Sequence, residues 1–547
     1  MSAALKRKLK AKLRTFLLWT GGVAVLAIVV GGAYVAMRLS DDDPVTWESD
    51  VEHFKYGSTG GERGFGKQFG FGIPYWVWVA LPELFPEYLP DGETGRGYAS
   101  FGMVYEEDRD PRLDLPVGMS MRRVQGIDRV YFTCSVCHTG VVRSAPDADP
   151  EVILGMPANT FDLGALANFL FRSATSWKFR SSRMFPTIET LEELQEERPD
   201  PDRYVPDPLN PVDRAVFRYV GIALMREQLL TLTSRLHFVD PASWGPGRVD
   251  TFNPPKALLG FPMEDAPDRE KVGIADFPSV WNQRWKEGMQ LHWDGNNTSV
   301  DERNLSAGFG TGATPTTLDK EKMLRIADWL WDEAKPPPFP AERIDRELAE
   351  TGGAVYRDEC WSCHGNPEPP FRTEGDGSRV GTVTPLERIG TDRSRLDSYT
   401  QELAAAQNTL YAGFPEDEEA CRERERDDGR PSEECYPSRF SHFRKTWGYA
   451  NMPLDGLWLR APYLHNGSVP DLRSLLEPPE ARPDSFWIGY TVYDWERVGF
   501  VTRGAGAERE GWLVDTRLPG NGNGGHLYGT DLDPDEKRAL LEYLKTF

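Results

Sequence analysis

Histidine and cysteine are scarce in this chain of 547 residues, with eight of the first and six of the second. So few cysteines exclude a disulfide-built scaffold, and a chain this long has core enough without one. The first 40 residues contain no acidic side chain and seven basic ones, which leaves the remainder at −29 within a total of −22. An acidic body of that size argues against nucleic acid as a partner. No charge occurs over the 23 positions from Thr15 to Met37. As a helix that run spans about 35 Å, enough to cross a bilayer. Lys6, Arg7, Lys8, Lys10, Lys12 and Arg14 precede it and Asp41, Asp42 and Asp43 follow. The positive-inside bias therefore predicts a single-pass inner-membrane anchor over residues 1–40, with a cytoplasmic N-terminus and a periplasmic body. A cleaved signal peptide is the alternative, but the run exceeds the usual apolar region and no clean Ala-x-Ala site follows.

Four of the six cysteines fall in two copies of Cys-x-x-Cys-His: Cys134, Cys137 and His138, then Cys360, Cys363 and His364. This spacing supplies two thiols for thioether bonds and a neighbouring imidazole for an iron, the pattern of c-type haem attachment. A zinc knuckle needs four ligands from nearby pairs, whereas these pairs lie 226 residues apart with one histidine each. A redox dithiol is the other reading of each pair. Two covalently attached haem c groups are expected. Cys421 and Cys435 flank a charged loop and are expected to pair in an oxidising compartment, closing about 15 residues for about 3 kcal/mol.

The pattern predicts a mainly α protein with two cytochrome c-like haem domains, long loops and few short strands. Arg129 to Thr133 reads as a strand leading into the first motif. Leu163 to Phe171 and Val216 to Leu236 have helical spacing suited to packing round a haem, and Lys322 to Asp332 reads as a closing helix. Glu189 to Pro206 is charge-rich and reads as a solvated excursion. Pro336-Pro337-Pro338-Phe339-Pro340 breaks the chain, so the N-terminal haem domain is expected over 41–335 and the C-terminal one over 336–547. Ala341 to Asp358 is read as a helix entering the second motif. Asp533 and Pro534 open a last amphipathic helix bearing Leu540, Leu541, Tyr543 and Leu544.

His138 and His364 take one side of each iron, and what takes the other side separates electron transfer from chemistry. The remaining histidines are His53, His237, His292, His442, His465 and His526. His526 stands in a glycine-rich loop, Asn521-Gly-Asn-Gly-Gly-His526, that can approach a macrocycle closely. Met452 is a rival thioether ligand for the second iron.

Gln290-Leu-His-Trp293-Asp-Gly-Asn-Asn297 resembles the Phe-Trp-Asp-Gly-Arg signature of bacterial diheme cytochrome c peroxidases. Ala461-Pro-Tyr-Leu-His465-Asn-Gly-Ser-Val469 is similar to their Ala-Pro-Tyr-x-His-(Asp/Asn)-Gly-Ser segment. Within that superfamily the chain resembles the rubber oxygenase branch most, through Trp281-Asn-Gln283, Trp293 to Asn304, Phe309 to Gly312, and Gly525-His526-x-x-Gly529. The resemblance implies that His526 is the distal ligand of the C-terminal haem, that Trp293 relays electrons between haems, and that Phe309 lies near the open face of the N-terminal one. It also implies a calcium between the domains near Asn282, although calcium needs six or more oxygens and only one is named.

The chain departs from the peroxidases in two ways. Their acid-base Glu follows the Trp-Asp-Gly signature by about twenty residues, where a carboxylate can move a peroxide proton; here that neighbourhood reads Gly310-Thr-Gly-Ala313-Thr-Pro, without an acid. Their displaceable histidine lies upstream of the Trp, and Val249 to Gln290 contains none. The expectation is an oxidoreductase that binds dioxygen at the His138 haem and acts on an apolar unsaturated small molecule. A pure electron-transfer cytochrome with a redox-protein partner, or a peroxidase, stands as the alternative.

Overall fold

The structure is a computed structural model that describes residues 3–63, 72–198, 206, 208–240, 243–413, 421, 423, 426 and 438–547. Helices account for 44% and the strands are short. Four strands form the largest sheet among the described residues: β1 (Asp42–Pro44), β2 (Ile73–Pro74), β3 (Met119–Val124) and β4 (Ile127–Phe132), in the antiparallel order β1-β3-β4-β2. Gln125 and Gly126, both at positive φ, turn β3 into β4, the tight hairpin geometry whose twist matches the strands. β4 delivers the chain to Thr133, whose hydroxyl accepts from the Ser135 N–H at 3.3 Å and starts the turn carrying the first motif.

The helix Ala3–Leu39 leads directly into β1. Its Leu18–Arg38 part has mean hydropathy 1.9 and is not buried against the body, a length and composition common to membrane anchors and signal sequences. Arg38 at its end donates to the Gly126 carbonyl at 2.6 Å and forms an ion pair with Asp213. The helix end is therefore tied to the body at two points.

One hydrophobic cluster gathers Tyr75, Trp76, Trp78 and Leu81 with Phe101, Phe169, Ile188, Ile222 and Met225. The Leu163–Thr175 and Ile222–Arg235 helices bury their apolar faces on these aromatic side chains. The same cluster takes in Val136 and Cys137 of the first motif, so both helices share a core with it. The expectation for Glu189 to Pro206 is corrected. Its first part completes the helix Ser181–Glu196, which buries Ile188, Leu191 and Glu192. Residues 199–205 and 207 lie outside the described residues.

A second cluster crosses the proline break, joining Phe54, Met156, Trp281, Ile326 and Trp329 to Tyr356, Trp458, Tyr463, Tyr493 and Leu540. Ala341 to Asp358 begins as a single 3-10 turn, Ala341–Arg343, and becomes helix over Arg346–Glu359 once Asp345 can cap it. The Pro534–Leu544 helix crosses it, started by a reciprocal Asp533/Glu536 cap. At the crossing a Cβ on Gly352 would lie 1.9 Å from the Ala539 carbonyl oxygen. Only glycine permits that approach.

Candidate functional site

The two Cys-x-x-Cys-His motifs reach the same arrangement by different local routes. In the first, a 3-10 turn over Cys134–Val136 brings His138 under Pro278, and Nδ1–H donates to that carbonyl at 2.8 Å. In the second, the chain continues from the Arg346–Glu359 helix into Trp361–His364, and His364 Nδ1–H donates to the Met452 carbonyl at 2.8 Å. A backbone acceptor on Nδ1 fixes the tautomer and leaves Nε2 as a free lone pair, the form a metal takes. Burial reinforces this, pushing His138 down to about 4 and lowering His364, so both rings are neutral at pH 7. The same burial lifts Cys134 to about 11 and Cys137 and Cys360 to about 12. Thiols so protonated suit poorly the nucleophilic dithiol considered above.

His526 lies opposite His364, with ring centroids 6.3 Å apart and planes at 41°. Two imidazoles on one metal, with bonds of roughly 2 Å each, place their centroids about 6.3 Å apart. The pair therefore fits an axially ligated haem iron. The loop is built to hold this ring. Its backbone is left-handed at φ +48°, its N–H donates to the Ile389 carbonyl at 2.8 Å, and Arg482 donates to the carbonyls of Asn523, Gly525 and His526. A Cβ on Gly525 would lie 2.3 Å from Gly390. The His526 Nδ1 is buried without a hydrogen-bond partner among the described residues, and burial, with His364 beside it, lowers the ring to about 4.

Among the described residues no imidazole pairs with His138 in this way. It faces a partly open cavity of about 110 Å³, lined by Phe54, Met289, His292, Arg303, Met323 and Met452 among others. The helices that build it are Asp50–Tyr56, Val300–Gly310 and Lys320–Asp332. Two cations line it: half-buried Arg303, lowered by desolvation to about 10, and buried Lys286, lowered to about 8. Lys286 donates to Asp455 at 3.0 Å, where Asn282 also donates and Arg460 pairs. His292 Nδ1–H donates to Asn296 Oδ1 at 2.5 Å; the residue sits at φ +63° and is lowered by burial to about 4.

Met452 lies between the two sites. Its carbonyl holds His364, and the same residue lines the His138 cavity. Trp293 adjoins this wall: its carbonyl accepts from the Ala450 N–H at 2.8 Å, its neighbour His292 lines the cavity, and its indole N–H donates to the Asp276 carbonyl. Phe309 packs on Phe440 at 5.7 Å in a cluster that includes Cys134, and it is not among the residues lining the cavity. His465 stacks on Tyr449 and bonds its hydroxyl at 3.0 Å, a structural pairing. Asn282 turns its amide to Asp455, and among the described residues no cluster of three or more His, Cys, Asp or Glu that could hold a metal ion occurs. Cys421 is in a disulfide, while Cys435 lies outside the described residues.

Several of these groups were beyond sequence reasoning. Lys286, Asp455 and Arg460 are separated by up to 174 positions and carry no motif. The carbonyls of Pro278 and Met452 have no side-chain signature at all, although Pro278 and Pro453 mark stiff backbone where a fixed acceptor is cheap to hold.

Comparison with known proteins adds one local match. A family model described as RoxA-like, cytochrome c-like, matches residues 448–487. The stretch 448–487 is thus cytochrome c-like. The matched stretch contains both Met452 and the Ala461–Val469 segment, and a cytochrome c-like region implies haem c. Two proteins of Sinorhizobium fredii (strain NBRC 101917 / NGR234) are similar along part of their length. Uncharacterized protein y4iJ is 33% identical over 49% of this chain and 54% of its own, and uncharacterized protein y4iM is 32% identical over 50% and 64%. The chain thus spans between half and two thirds of these relatives.

Proposed function

We propose that the chain is a membrane-anchored, periplasmic diheme c-type cytochrome acting as an oxidoreductase, with one saturated and one open iron. The observation that carries this reading is the contrast between the 6.3 Å His364/His526 pair and the cavity of about 110 Å³ faced by His138. Cys134 and Cys137 would hold one haem and Cys360 and Cys363 the other. When bound, the His138 haem supplies an iron whose free side can take dioxygen, and the other supplies a reversible one-electron couple.

The protein's own groups do the rest. Pro278 and Met452 aim the two proximal imidazoles and hold their protons on Nδ1. Arg303 and Lys286 supply positive charge at the cavity, which suits carboxylates such as haem propionates. Phe54, Met289, Leu291, Met323, Ile326 and Leu330 give the cavity an apolar wall that excludes water and fits a hydrocarbon substrate. Trp293 is positioned to bridge the sites for electrons. Absence of a carboxylate near Gly310 to Pro315 disfavours peroxide cleavage. An anchored enzyme points to a fatty acid or isoprenoid rather than a polymer.

A second reading is electron transfer alone, favoured by His292, a buried neutral imidazole on the cavity wall with Nδ1 already engaged. Carbon monoxide titration of the reduced, haem-loaded protein separates the two. One carbon monoxide per two haems, with a mixed high-spin and low-spin spectrum, is the expected result. No binding, with both haems low-spin, would leave the electron-transfer reading.

A further inference from the structure

Residues 211–235 form a helix through Pro211–Val216, one π turn over Phe217–Gly221, and Ile222–Arg235. Its inner face buries Phe217, Ile222, Met225 and Leu229. Its outer face is apolar as well: Val212, Val216, Tyr219, Val220 and Leu230 are exposed, Tyr219 at 78%. Positions 212, 216, 219, 223 and 230 fall on one helical stripe. Such a stripe open to water is unusual for a folded domain and marks a contact surface.

Trp177, 60% exposed, belongs to the same surface. Arg226 donates to the carbonyls of Ala174 and Ser176, and Ser181 donates to that of Arg218, so the 174–181 segment lies along the helix. Arg180 and Arg183 stack over the Trp177 ring at 5.0 and 5.3 Å, and Arg218 stacks over Phe185. Residues 172–183 and 211–226 together carry seven basic side chains and one acidic, in a chain whose total is −22; Lys178 pairs with Glu87 and Arg214 with Glu189 and Glu192, so the charge turned outward is that of the exposed Arg172, Arg180, Arg183 and Arg218. The one acid, Asp213, pairs with Arg38 at the end of the Leu18–Arg38 helix. The patch is thus continuous with the point where that helix meets the body.

We propose that this face rests on the anionic phospholipid surface into which the Leu18–Arg38 helix inserts, making a second attachment that fixes the orientation of the body. The inference rests on reading that helix as an anchor. Exposed Trp and Tyr favour the interfacial zone, where the ring body is apolar and its edge is wet. Guanidiniums stacked beside them present positive charge to lipid phosphate. An acidic body needs such a local basic island to approach an anionic surface at all.

The test uses the full-length, haem-loaded protein in vesicles of phosphatidylcholine and phosphatidylglycerol, with a nitroxide on Tyr219→Cys or Val216→Cys. Leu513→Cys, at another exposed apolar position, serves as the reference. Collision with a water-soluble nickel chelate should fall roughly fivefold at 216 and 219 relative to 513, as expected for side chains at the headgroup boundary. Protection should disappear in the Arg180→Glu, Arg183→Glu, Arg218→Glu variant while that protein still floats with the vesicles and keeps its haem spectrum. Nickel access equal to the reference in vesicle-bound protein overturns the proposal and leaves the anchor standing. Protection accompanied by spin–spin broadening that grows with protein density overturns it in favour of a second copy of the chain. Protein that does not float with vesicles overturns the anchor reading, and this inference with it.

Discussion

The His138 and His364 sites start from the same five-residue motif and end differently. Around His364 the chain returns, 162 residues later, with a glycine loop that brings a second imidazole within 6.3 Å of the first. Around His138 the helices Val300–Gly310 and Lys320–Asp332 stand back and leave a cavity. The motif is the same at both; what differs is the side chains that distant segments bring to face each histidine. A glycine loop can close because it has no Cβ, whereas two helices with Met323, Ile326 and Arg303 on the facing side cannot approach further without overpacking.

The largest effect that would break this comparison is removal of either attachment. Cys134→Ser with Cys137→Ser, and separately Cys360→Ser with Cys363→Ser, should each reduce covalent haem from two per chain to one, read as pyridine haemochrome. Loss of both haems from one pair alone would show that the sites do not assemble independently. Next, His526→Ala should convert one low-spin haem to high-spin and double carbon monoxide binding, leaving haem content at two. An unchanged spectrum would remove His526 from the second iron.

Asp455→Asn tests the join between the halves. Asp455 is the single anion between Lys286 and Arg460 among the described residues, with Asp455 and Lys286 buried and Arg460 half-buried, so its loss strands two cations and should cost about 3–5 kcal/mol in denaturant unfolding. A change below about 1 kcal/mol would mean that water reaches the network. The smallest effect sharpens the contrast by acting on the His138 half alone. Glu62 is fully buried and burial raises its carboxyl to about 7, from an ordinary 4.5, against acceptance of bonds from Ser58, Gly60 and Ser120. An acid whose folded value is raised binds its proton more tightly when folded. Its contribution is present below the unfolded value and is lost as pH climbs from about 4.5 through about 7, by about 3 kcal/mol. Glu62→Gln should flatten that slope, and an identical slope in the variant would place the titrating group elsewhere.

Local signals in the sequence were legible wherever chemistry and spacing coincide. The two motifs, the β4 lead-in, the Asp533 cap and the glycine loop of His526 each depend on neighbouring residues, and each lies where its pattern indicates. The packing partners were not legible. The helices at Leu163 and Ile222 have ordinary amphipathic spacing, which tells that a face is buried but not against what; the Tyr75–Leu81 run decided it. Phe309 kept company with Cys134 yet missed the cavity wall for the same reason. Lys286 and Asp455 meet only because the chain folds across its proline break, a long-range event that no window of sequence contains.

The residue Met452 deserves a last mention for what it makes inseparable. One peptide unit sets the tilt of the His364 ring and also forms part of the floor on which anything entering the other chamber must lie. A substitution that shifts this backbone position is therefore expected to disturb both sites at once, the ring it steadies and the chamber it bounds.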